Sequence, residues 1–206
     1  MIAQSSLVRV VDDDASHRNA VSRVLQIAGY AVKPYPCAGE FLLDEGACDA
    51  PGCILLDLCM PGPSGLELHE ALVRRGDAPP VIYVTGEGDV PSSVRAMKAG
   101  AVDFLMKPVP RNVLLDAVAA AVAVDEERRD ERARRRELEA RYASLTQREQ
   151  DVMKYVVAGR LNKQIAADLG VAERTVKWHR AQMMEKMGAT TLAQLLDDAR
   201  ALHQTL

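Results

Sequence analysis

Three acids directly follow an apolar run near the start of the chain: Leu7-Val8-Arg9-Val10-Val11-Asp12-Asp13-Asp14. Such a run, rich in β-branched residues and closed by polar ones, is typical of a buried strand followed by a turn. Similar runs recur up to residue 110: Ala31-Val32-Lys33-Pro34-Tyr35, Cys53-Ile54-Leu55-Leu56, Pro80-Val81-Ile82-Tyr83-Val84 and Val102-Asp103-Phe104-Leu105. Between them, apolar residues recur at helical spacing. We therefore predict an α/β fold with a doubly wound, five-stranded parallel sheet.

The pattern changes beyond residue 122. From Asp125 to Arg141 apolar periodicity nearly vanishes, and acids precede arginines by four residues, the favourable order for pairs on a helix surface. These pairs are Asp125/Arg129, Asp130/Arg134, Glu131/Arg135 and Glu137/Arg141. We interpret this segment as a solvated helical linker, since its acids nearly balance its arginines; a basic arm for DNA is the weaker alternative.

Helical periodicity returns after Ser144 as four short segments. Thr146 and Glu149 form a capping-box pattern that opens the first, and Asn162 is expected to cap the second, which ends at Gly170. The third runs from Glu173 to Met187 and the fourth begins near Thr191. Short helices with a glycine-containing turn predict an all-α helix-turn-helix domain. The predicted domains are therefore 1–122, a linker at 123–143, and 144–206.

Charge is unevenly distributed along the 206 residues, whose net charge is −3. Residues 1–110 hold nine basic against fourteen acidic residues, whereas residues 141–206 hold ten basic against seven acidic ones. The acidic front suits a cation site and the basic tail suits a polyanion. No basic-then-apolar leader opens the chain and no apolar run is long enough to cross a bilayer, so we expect a cytoplasmic protein without a membrane partner. The cysteines are expected to be reduced and mostly buried: Cys37, Cys48, Cys53 and Cys59.

Acids follow two of the predicted strands. Asp12, Asp13 and Asp14 follow the first strand and Asp57 follows the third. Because the carboxyl ends of parallel strands meet at one edge of a sheet, we expect these side chains to be neighbours. Clustered carboxylates repel unless a cation lies among them, and an all-oxygen ligand set suits Mg²⁺. A single Asp after a strand is usually a turn former or helix cap, but two strand ends carrying acids favour a metal site.

Two further strand ends carry a hydroxyl and an ammonium group. Thr85 closes the fourth strand, and Lys107 follows the fifth. A carboxylate, a divalent cation, a hydroxyl and a lysine around one point form a site for phosphoryl transfer, because positive charge neutralises the oxygens of the transferring group. Asp57 is then the nucleophile, forming an acyl phosphate.

Residues 7 to about 122 resemble the receiver domain of bacterial two-component response regulators, which has a flavodoxin-like fold. The matching segments are Val11-Asp12-Asp13-Asp14, Leu56-Asp57-Leu58-Cys59-Met60-Pro61-Gly62-Pro63-Ser64-Gly65, Val84-Thr85-Gly86, Met97-Lys98-Ala99-Gly100-Ala101-Val102-Asp103-Phe104 and Lys107-Pro108. The resemblance implies that a sensor histidine kinase phosphorylates Asp57 and that Lys107 pairs with the phosphoryl group. It also implies that Asp12 and Asp13, with Asp57 and the Cys59 backbone carbonyl, bind Mg²⁺.

The same resemblance implies a switch at the end of the fourth strand. Thr85 moves to bond the phosphoryl group, and Phe104, the switch aromatic, turns inward to fill the vacated space. A buried aromatic with two packings is a bistable element, although a plain core role for Phe104 is an open alternative. Cys59 and Glu87 are expected to flank the approach of hydrolytic water.

The third helix of the tail has one apolar and one polar face. At 100° per residue, the core face carries Val176, Met183 and Met187. The opposite face suits a DNA major groove and carries Arg174, Lys177, Trp178, Ala181 and Gln182. Phosphate contacts are expected from Thr175, His179, Arg180 and Lys163. A merely solvated charged face is the alternative for any single helix.

The tail from Leu145 to about Leu202 resembles the LuxR-type helix-turn-helix output domain of FixJ/NarL-class regulators. The resemblance is carried by Leu145-Thr146-Gln147-Arg148-Glu149, Gly159-Arg160-Leu161-Asn162-Lys163-Gln164-Ile165-Ala166 and Thr175-Val176-Lys177-Trp178-His179. It implies that Lys177, Trp178 and Ala181 face bases of double-stranded promoter DNA. Two positions depart from the family pattern: Ala172 replaces a Ser helix cap, and Trp178 replaces a smaller aliphatic residue, which leaves the base preference open.

These observations predict a phosphorylation-activated transcriptional regulator and not an enzyme. Phosphoryl transfer to Asp57 is expected to promote homodimerisation, by resemblance through the fourth helix and fifth strand near Val90 to Phe104, and thereby promoter binding. A haloacid-dehalogenase-type hydrolase would need an acid two residues after the nucleophile, where this chain has Cys59. A structural receiver with a constitutive DNA-binding tail is the other alternative, and the presence of Asp57 and Lys107 argues against it.

Overall fold

The computed structural model describes residues 6–44, 50–76, 78–86 and 90–203. Contacts within the chain divide it into two compact units, residues 1–129 and 130–206. One long helix, α5, contributes its first part to the first unit and its last turns to the second. Each unit has its own hydrophobic core, as expected for domains that each bury one set of amphipathic elements.

Strands and helices alternate in the first unit. The elements are β1 (Leu7–Val11), α1 (Ala15–Ile27), β2 (Ala31–Tyr35), α2 (Ala38–Leu43), β3 (Gly52–Leu56), α3 (Gly65–Arg75), β4 (Val81–Thr85), α4 (Val90–Lys98), β5 (Asp103–Met106) and α5 (Arg111–Ala143). All neighbouring strands are parallel and lie in the order β2-β1-β3-β4-β5. The predicted doubly wound sheet is confirmed. β4 ends at Thr85, as predicted, and β5 ends one residue later than predicted, because Met106 still pairs with Thr85.

Successive side chains of the central strands enter two different cores. Val8 and Val10 pack with residues of α1 and α5 on one face of the sheet, whereas Val11 packs with residues of α2, α3 and α4 on the other. Both faces are therefore covered, as in other parallel sheets. Burying an aliphatic side chain of this size stabilises the fold by roughly 1.5–3 kcal/mol, so packing holds the strand ends in fixed positions.

Strand register brings the predicted site residues to one edge. Val11 pairs with Leu56, which places Asp12 and Asp57 one residue beyond the paired positions, and the Asp57 amide donates to the Val11 carbonyl at 2.9 Å. At the neighbouring strands, the Lys107 amide donates to the Thr85 carbonyl at 2.8 Å. Four strand ends thus converge, as the parallel topology predicted.

Helix α5 differs from the solvated linker expected from its sequence. Asp125 is only 1% exposed; its carboxylate accepts from the Gly52 amide at 2.9 Å and from Arg129 at 2.7 Å. Leu138 is also buried. The description of this segment as solvated is therefore wrong at both positions: Asp125 satisfies the first amide of β3, and Leu138 is an apolar residue within a run of charges. The predicted i, i+4 pairs of Asp125 with Arg129 and of Glu137 with Arg141 are present.

The second unit is helical in its described residues. After the last turns of α5 come α6 (Gln147–Val157), α7 (Asn162–Leu169), α8 (Glu173–Met187) and α9 (Leu192–His203). Thr146 and Glu149 form the predicted capping box of α6. The prediction that Asn162 caps α7 is wrong: the cap position is Leu161, whose amide donates to Gln164 at 2.9 Å. Asn162 instead accepts from Arg180 of α8 at 3.1 Å, which links the two helices.

Cysteines and membrane-spanning potential were also predicted from the sequence. Among Cys37, Cys53 and Cys59, only Cys53 is fully buried; Cys37 is partly buried and Cys59 is exposed, so the expectation of mostly buried cysteines is wrong for this set. Cys48 lies outside the described residues. Among the helices that the structure describes, none is long and apolar enough to cross a membrane.

Candidate functional site

Three carboxylates meet at the carboxyl edge of the sheet. One oxygen from each of Asp12, Asp13 and Asp57 lies within 4.8 Å of the other two. Asp12 and Asp57 are buried and Asp13 is exposed, so the group opens toward solvent on one side. Oxygen-only ligands with room for water are the set that Mg²⁺ prefers, and these residues fit that ion.

Lys107 joins the two buried carboxylates. Its ammonium nitrogen lies 2.7 Å from Asp12 Oδ2 and 2.8 Å from Asp57 Oδ2. Burial disfavours the charged ammonium, but hydrogen bonds and Coulombic attraction from Asp12 and Asp57 outweigh burial and raise the pKa of Lys107. A fixed positive charge therefore lies beside Asp57, the predicted nucleophile, where it can stabilise the oxygens of an incoming phosphoryl group.

Two neighbours of Asp12 were not found from the sequence. His17 Nδ1 lies 2.6 Å from Asp12 Oδ2, and the Arg18 guanidinium donates to the backbone carbonyl of Asp12. Both residues lie in the first turns of α1, which begins where Asp14 caps the helix by accepting from the Ser16 and His17 amides. These amide hydrogen bonds lower the pKa of Asp14. Asp14 is thus a helix cap, whereas Asp12 and Asp57 each accept from the amide two residues on, at 2.9 and 3.3 Å, as turn formers do, and also contact Lys107.

The remaining receiver residues lie around this cluster. Thr85 is fully buried at the end of β4, and Phe104 of β5 is partly buried with its ring centroid 6.3 Å from that of Tyr83. The Cys59 amide donates to Asp57 Oδ1 at 3.3 Å, and the Cys59 side chain is exposed. Glu87 lies outside the described residues. The roles assigned to Thr85, Phe104 and the Cys59 carbonyl stay predictions.

Helix α8 has the two faces predicted for it. Val176, Met183 and Met187 are fully buried in the core of the second unit. The opposite face leaves Trp178 58% exposed, and the other exposed or partly exposed members are Arg174, Lys177, Ala181 and Gln182.

Contacts around α8 hold the predicted nucleic-acid face in place. Gly170 ends α7 in the left-handed region, at φ 65°, and so makes the turn between α7 and α8. Lys177 forms an exposed ion pair with Glu173 at 3.1 Å, a contact weak enough to be exchanged for another partner. The predicted phosphate contacts Thr175, His179 and Arg180 are partly buried beside this face, and Lys163 of α7 is exposed.

The fold and the two sites together define a class. A doubly wound parallel sheet with aspartates and a lysine at its carboxyl edge, followed by a helix-turn-helix unit, is the architecture of a DNA-binding two-component response regulator. Family models agree with this class: residues 8–119 match the response regulator receiver domain, and residues 143–199 match the luxR family of bacterial regulatory proteins.

This chain belongs to the response regulator family, in the group with a LuxR-type output domain. It is 44% identical to Nodulation protein W of Bradyrhizobium diazoefficiens, over 93% of this chain and 84% of that protein. It is 43% identical to transcriptional regulatory protein FixJ of Azorhizobium caulinodans, over 94% of this chain and 91% of that protein. The solved structure of response regulator StyR superposes with a TM-score of 0.86 at 43% identity, covering 95% of this chain and 98% of that one. The predicted family, fold and function as a two-component transcriptional regulator are confirmed.

Proposed function

We propose that this regulator is activated when a sensor histidine kinase phosphorylates Asp57. A carboxylate oxygen of Asp57 attacks the phosphorus of a phosphohistidine, the N–P bond breaks, and the phosphoryl group remains on Asp57 as an acyl phosphate. The observation that supports this is the position of Lys107, 2.8 Å from the attacking carboxylate. No hydrolase role is proposed, because Cys59 stands where an acid would be needed to activate water.

Asp12, Asp13 and Asp57, with the carbonyl of Cys59, would hold a Mg²⁺ ion. The ion would supply positive charge to the phosphoryl oxygens during transfer. Lys107 supplies the second fixed charge, and Thr85 would then bond the phosphoryl group, so that Phe104 turns inward. Each role rests on the place of the residue at the shared edge of the sheet.

Phosphorylation would favour a homodimer formed through α4 and β5. Four apolar side chains on these elements are exposed: Val90, Val94, Met97 and Met106. Pairing of two copies buries them and places two α8 helices on adjacent half-sites, roughly 34 Å apart. A second contact raises DNA affinity through effective concentration, so a modest change in the receiver becomes a large change in promoter occupancy.

On α8, Lys177, Trp178 and Ala181 would face bases with Arg174 and Gln182 beside them. Phosphate contacts would come from Thr175, His179, Arg180 and Lys163. We assign the receiver to residues 1–122, the linker to 123–143 and the DNA-binding domain to 144–206. A regulator that binds promoter DNA would act in the cytoplasm, where that DNA is.

The test uses the full chain with a small acyl-phosphate donor and Mg²⁺. Wild type is expected to gain one phosphoryl mass and to elute earlier in size-exclusion chromatography, whereas Asp57→Ala gains neither. Asp197→Ala, which removes an exposed carboxylate from α9, is the matched control and should behave as wild type. Equal phosphorylation of Asp57→Ala would overturn the assignment of the nucleophile.

A further inference from the structure

The carboxyl end of α8 meets the last turns of α5. Arg141 Nη1 donates to the backbone carbonyl of Met187, the last residue of α8, at 2.9 Å. The last carbonyls of a helix have no partner within the helix and carry partial negative charge, so a guanidinium there satisfies an acceptor and complements the helix dipole. One side chain of α5 thus binds the end of the predicted recognition helix directly.

The space around this contact is narrow. Gly188 follows α8 with φ 68°, and a Cβ added there would lie 2.4 Å from Arg141 Nη1. The guanidinium therefore occupies the volume that a side chain at position 188 would need. Its other terminal nitrogen, Nη2, lies 2.6 Å from Glu137 one turn earlier in α5. Both terminal nitrogens of the planar group therefore have an acceptor.

Apolar packing reinforces the same junction. Tyr142, in the last turn of α5, packs against the hydrophobic core that contains Met183 and Met187 of α8, and Leu145, just after α5, is buried in that core. The end of α5 therefore packs against the core of the second unit. Within that unit, the Arg141–Met187 hydrogen bond and the packing of Tyr142 against the shared core join the end of α5 to the end of α8.

We propose that Arg141 is a positioning residue for DNA recognition. It fixes the direction of α8 relative to the last turns of α5, and so sets the half-site spacing that two copies of the chain can occupy together. The inference rests on the proposed function, because spacing matters only for a regulator that binds DNA as a dimer. A lysine cannot replace Arg141, since one ammonium lacks the planar fork that reaches Met187 and Glu137 at once.

Two other roles for Arg141 make different predictions. A group that only stabilises the fold would, when removed, weaken binding to one half-site and to two half-sites by the same factor. A group that contacts DNA phosphate would be replaced well by lysine, and its loss would lower the salt dependence of binding by about one ion. A positioning residue changes the ratio between two-site and one-site binding, and it changes the preference for spacing.

The probes are DNA duplexes that carry one or two copies of a half-site, recovered by in vitro selection with full-length wild type activated by an acyl-phosphate donor. The two-site duplexes differ in spacing by single base pairs. Arg141→Gln, Arg141→Lys and Glu137→Gln are compared with Arg136→Gln, which removes an exposed arginine from the same helix. Glu137→Gln leaves Arg141 in place and changes only its exposed partner. It therefore keeps the inference testable even if Arg141→Gln folds poorly.

Wild type is expected to bind the optimal two-site duplex about a hundredfold more tightly than the one-site duplex. Arg141→Gln and Arg141→Lys should bind the one-site duplex within about twofold of wild type. Their preference for two sites over one should fall about tenfold, and they should bind two-site duplexes of neighbouring spacings almost equally. Glu137→Gln should move in the same direction, and Arg136→Gln should match wild type. If Glu137→Gln and the Arg141 variants all keep the wild-type spacing preference, the inference about Arg141 is overturned and the proposed function is not. Full function of Arg141→Lys would have the same consequence. A wild type that gains nothing from a second half-site overturns the proposed function and the inference together.

Discussion

Lys107 Nζ lies 2.8 Å from Asp57 Oδ2, so the predicted nucleophile is paired with a cation before any phosphoryl group arrives. The same nitrogen lies 2.7 Å from Asp12. An ammonium shared by two carboxylates competes with any other cation at those oxygens. Lys107 is therefore expected to have two opposing effects: it would weaken Mg²⁺ binding, and it would stabilise the oxygens of a transferring phosphoryl group.

Replacing Lys107 by Met should separate these effects. Removing one positive charge beside the carboxylates is expected to tighten Mg²⁺ binding about five- to tenfold, while phosphorylation by a small acyl-phosphate donor slows. Isothermal titration calorimetry measures the first effect and intact-mass kinetics the second. Lys154→Met, on the exposed side of α6, is the control. Weaker Mg²⁺ binding by Lys107→Met would contradict the competition.

Gly65 allows the loop after Asp57 to approach α3 closely. A Cβ at position 65 would lie 2.1 Å from the Asp57 carbonyl oxygen, which is backbone and cannot rotate away. Gly65→Ala should therefore shift Asp57, lower the free energy of unfolding by about 1–3 kcal/mol and reduce phosphorylation. At Gly39, where the nearest atom is 3.7 Å away, the same change should be neutral or stabilise by roughly 0.5 kcal/mol. Urea unfolding measures the free energy of unfolding of both variants. If Gly65→Ala and Gly39→Ala change it equally, the close approach of the Asp57 carbonyl does not explain the effect at position 65.

Residues at strand ends could be predicted because a parallel sheet brings all its carboxyl ends to one edge. The positions of Asp12, Asp57, Thr85 and Lys107 at this edge were predicted in this way. For Asp12 and Asp57, the pairing of Val11 with Leu56 explains why they are neighbours. His17 could not be found by the same argument. Its contact with Asp12 depends on where α1 begins, and that start is fixed by the Asp14 cap.

Contacts between distant segments left no signal in the sequence. Asp125 fits a surface pair with Arg129 four residues later, and nothing local predicts that it also binds the Gly52 amide, 73 residues away. Arg141 likewise fits a pair with Glu137, while its bond to Met187 joins residues 46 positions apart. Charge spacing on one helix therefore predicted the local partner and missed the tertiary one.

The exposed apolar face of α4 and β5 provides a test of the proposed dimer. Met97 is exposed on α4, and a carboxylate at that position would be buried without a partner in a dimer formed there. Met97→Glu should keep phosphorylation of Asp57 unchanged and weaken dimerisation about tenfold or more, measured by analytical ultracentrifugation. Ile27→Glu, the control, replaces an even more exposed apolar residue on α1. If both variants dimerise like wild type, this face is not the interface.

Glu149 should give the second unit a distinctive dependence on pH. Its carboxylate accepts from Lys186 at 2.7 Å and from the Thr146 amide at 2.8 Å. The Lys186 hydrogen bond is the main cause that lowers the pKa of Glu149 below its ordinary value of 4.5, against the opposing effect of burial. Because the folded-state pKa is the lower one, the stabilisation is complete above pH 4.5 and is lost as pH falls through the folded-state value.

The measurement compares wild type with Glu149→Gln in urea at a series of pH values. Fluorescence of Trp178, the one tryptophan of the chain, follows the second unit alone. The difference in unfolding free energy should be constant near neutral pH and shrink below pH 4.5. Glu185→Gln, at an exposed position of α8, should show no such decline. If the difference in unfolding free energy grows as pH falls, folding does not lower the pKa of Glu149, and the prediction is wrong.

Trp178 should read the methyl group of a thymine. Its ring is exposed on α8 and packs edge-on against His179, with ring centroids 4.8 Å apart, so its position is restricted before DNA binds. An apolar ring in the major groove gains most from a C5-methyl group, and burying one such group is worth about 0.8 kcal/mol, roughly fourfold in affinity. Replacing thymines of the selected half-site by uracil, one at a time, should therefore weaken wild type about fourfold at one position. Trp178→Ala should lose this sensitivity and Trp178→Phe should keep part of it. Equal sensitivity of wild type and Trp178→Ala at every thymine would remove Trp178 from base readout.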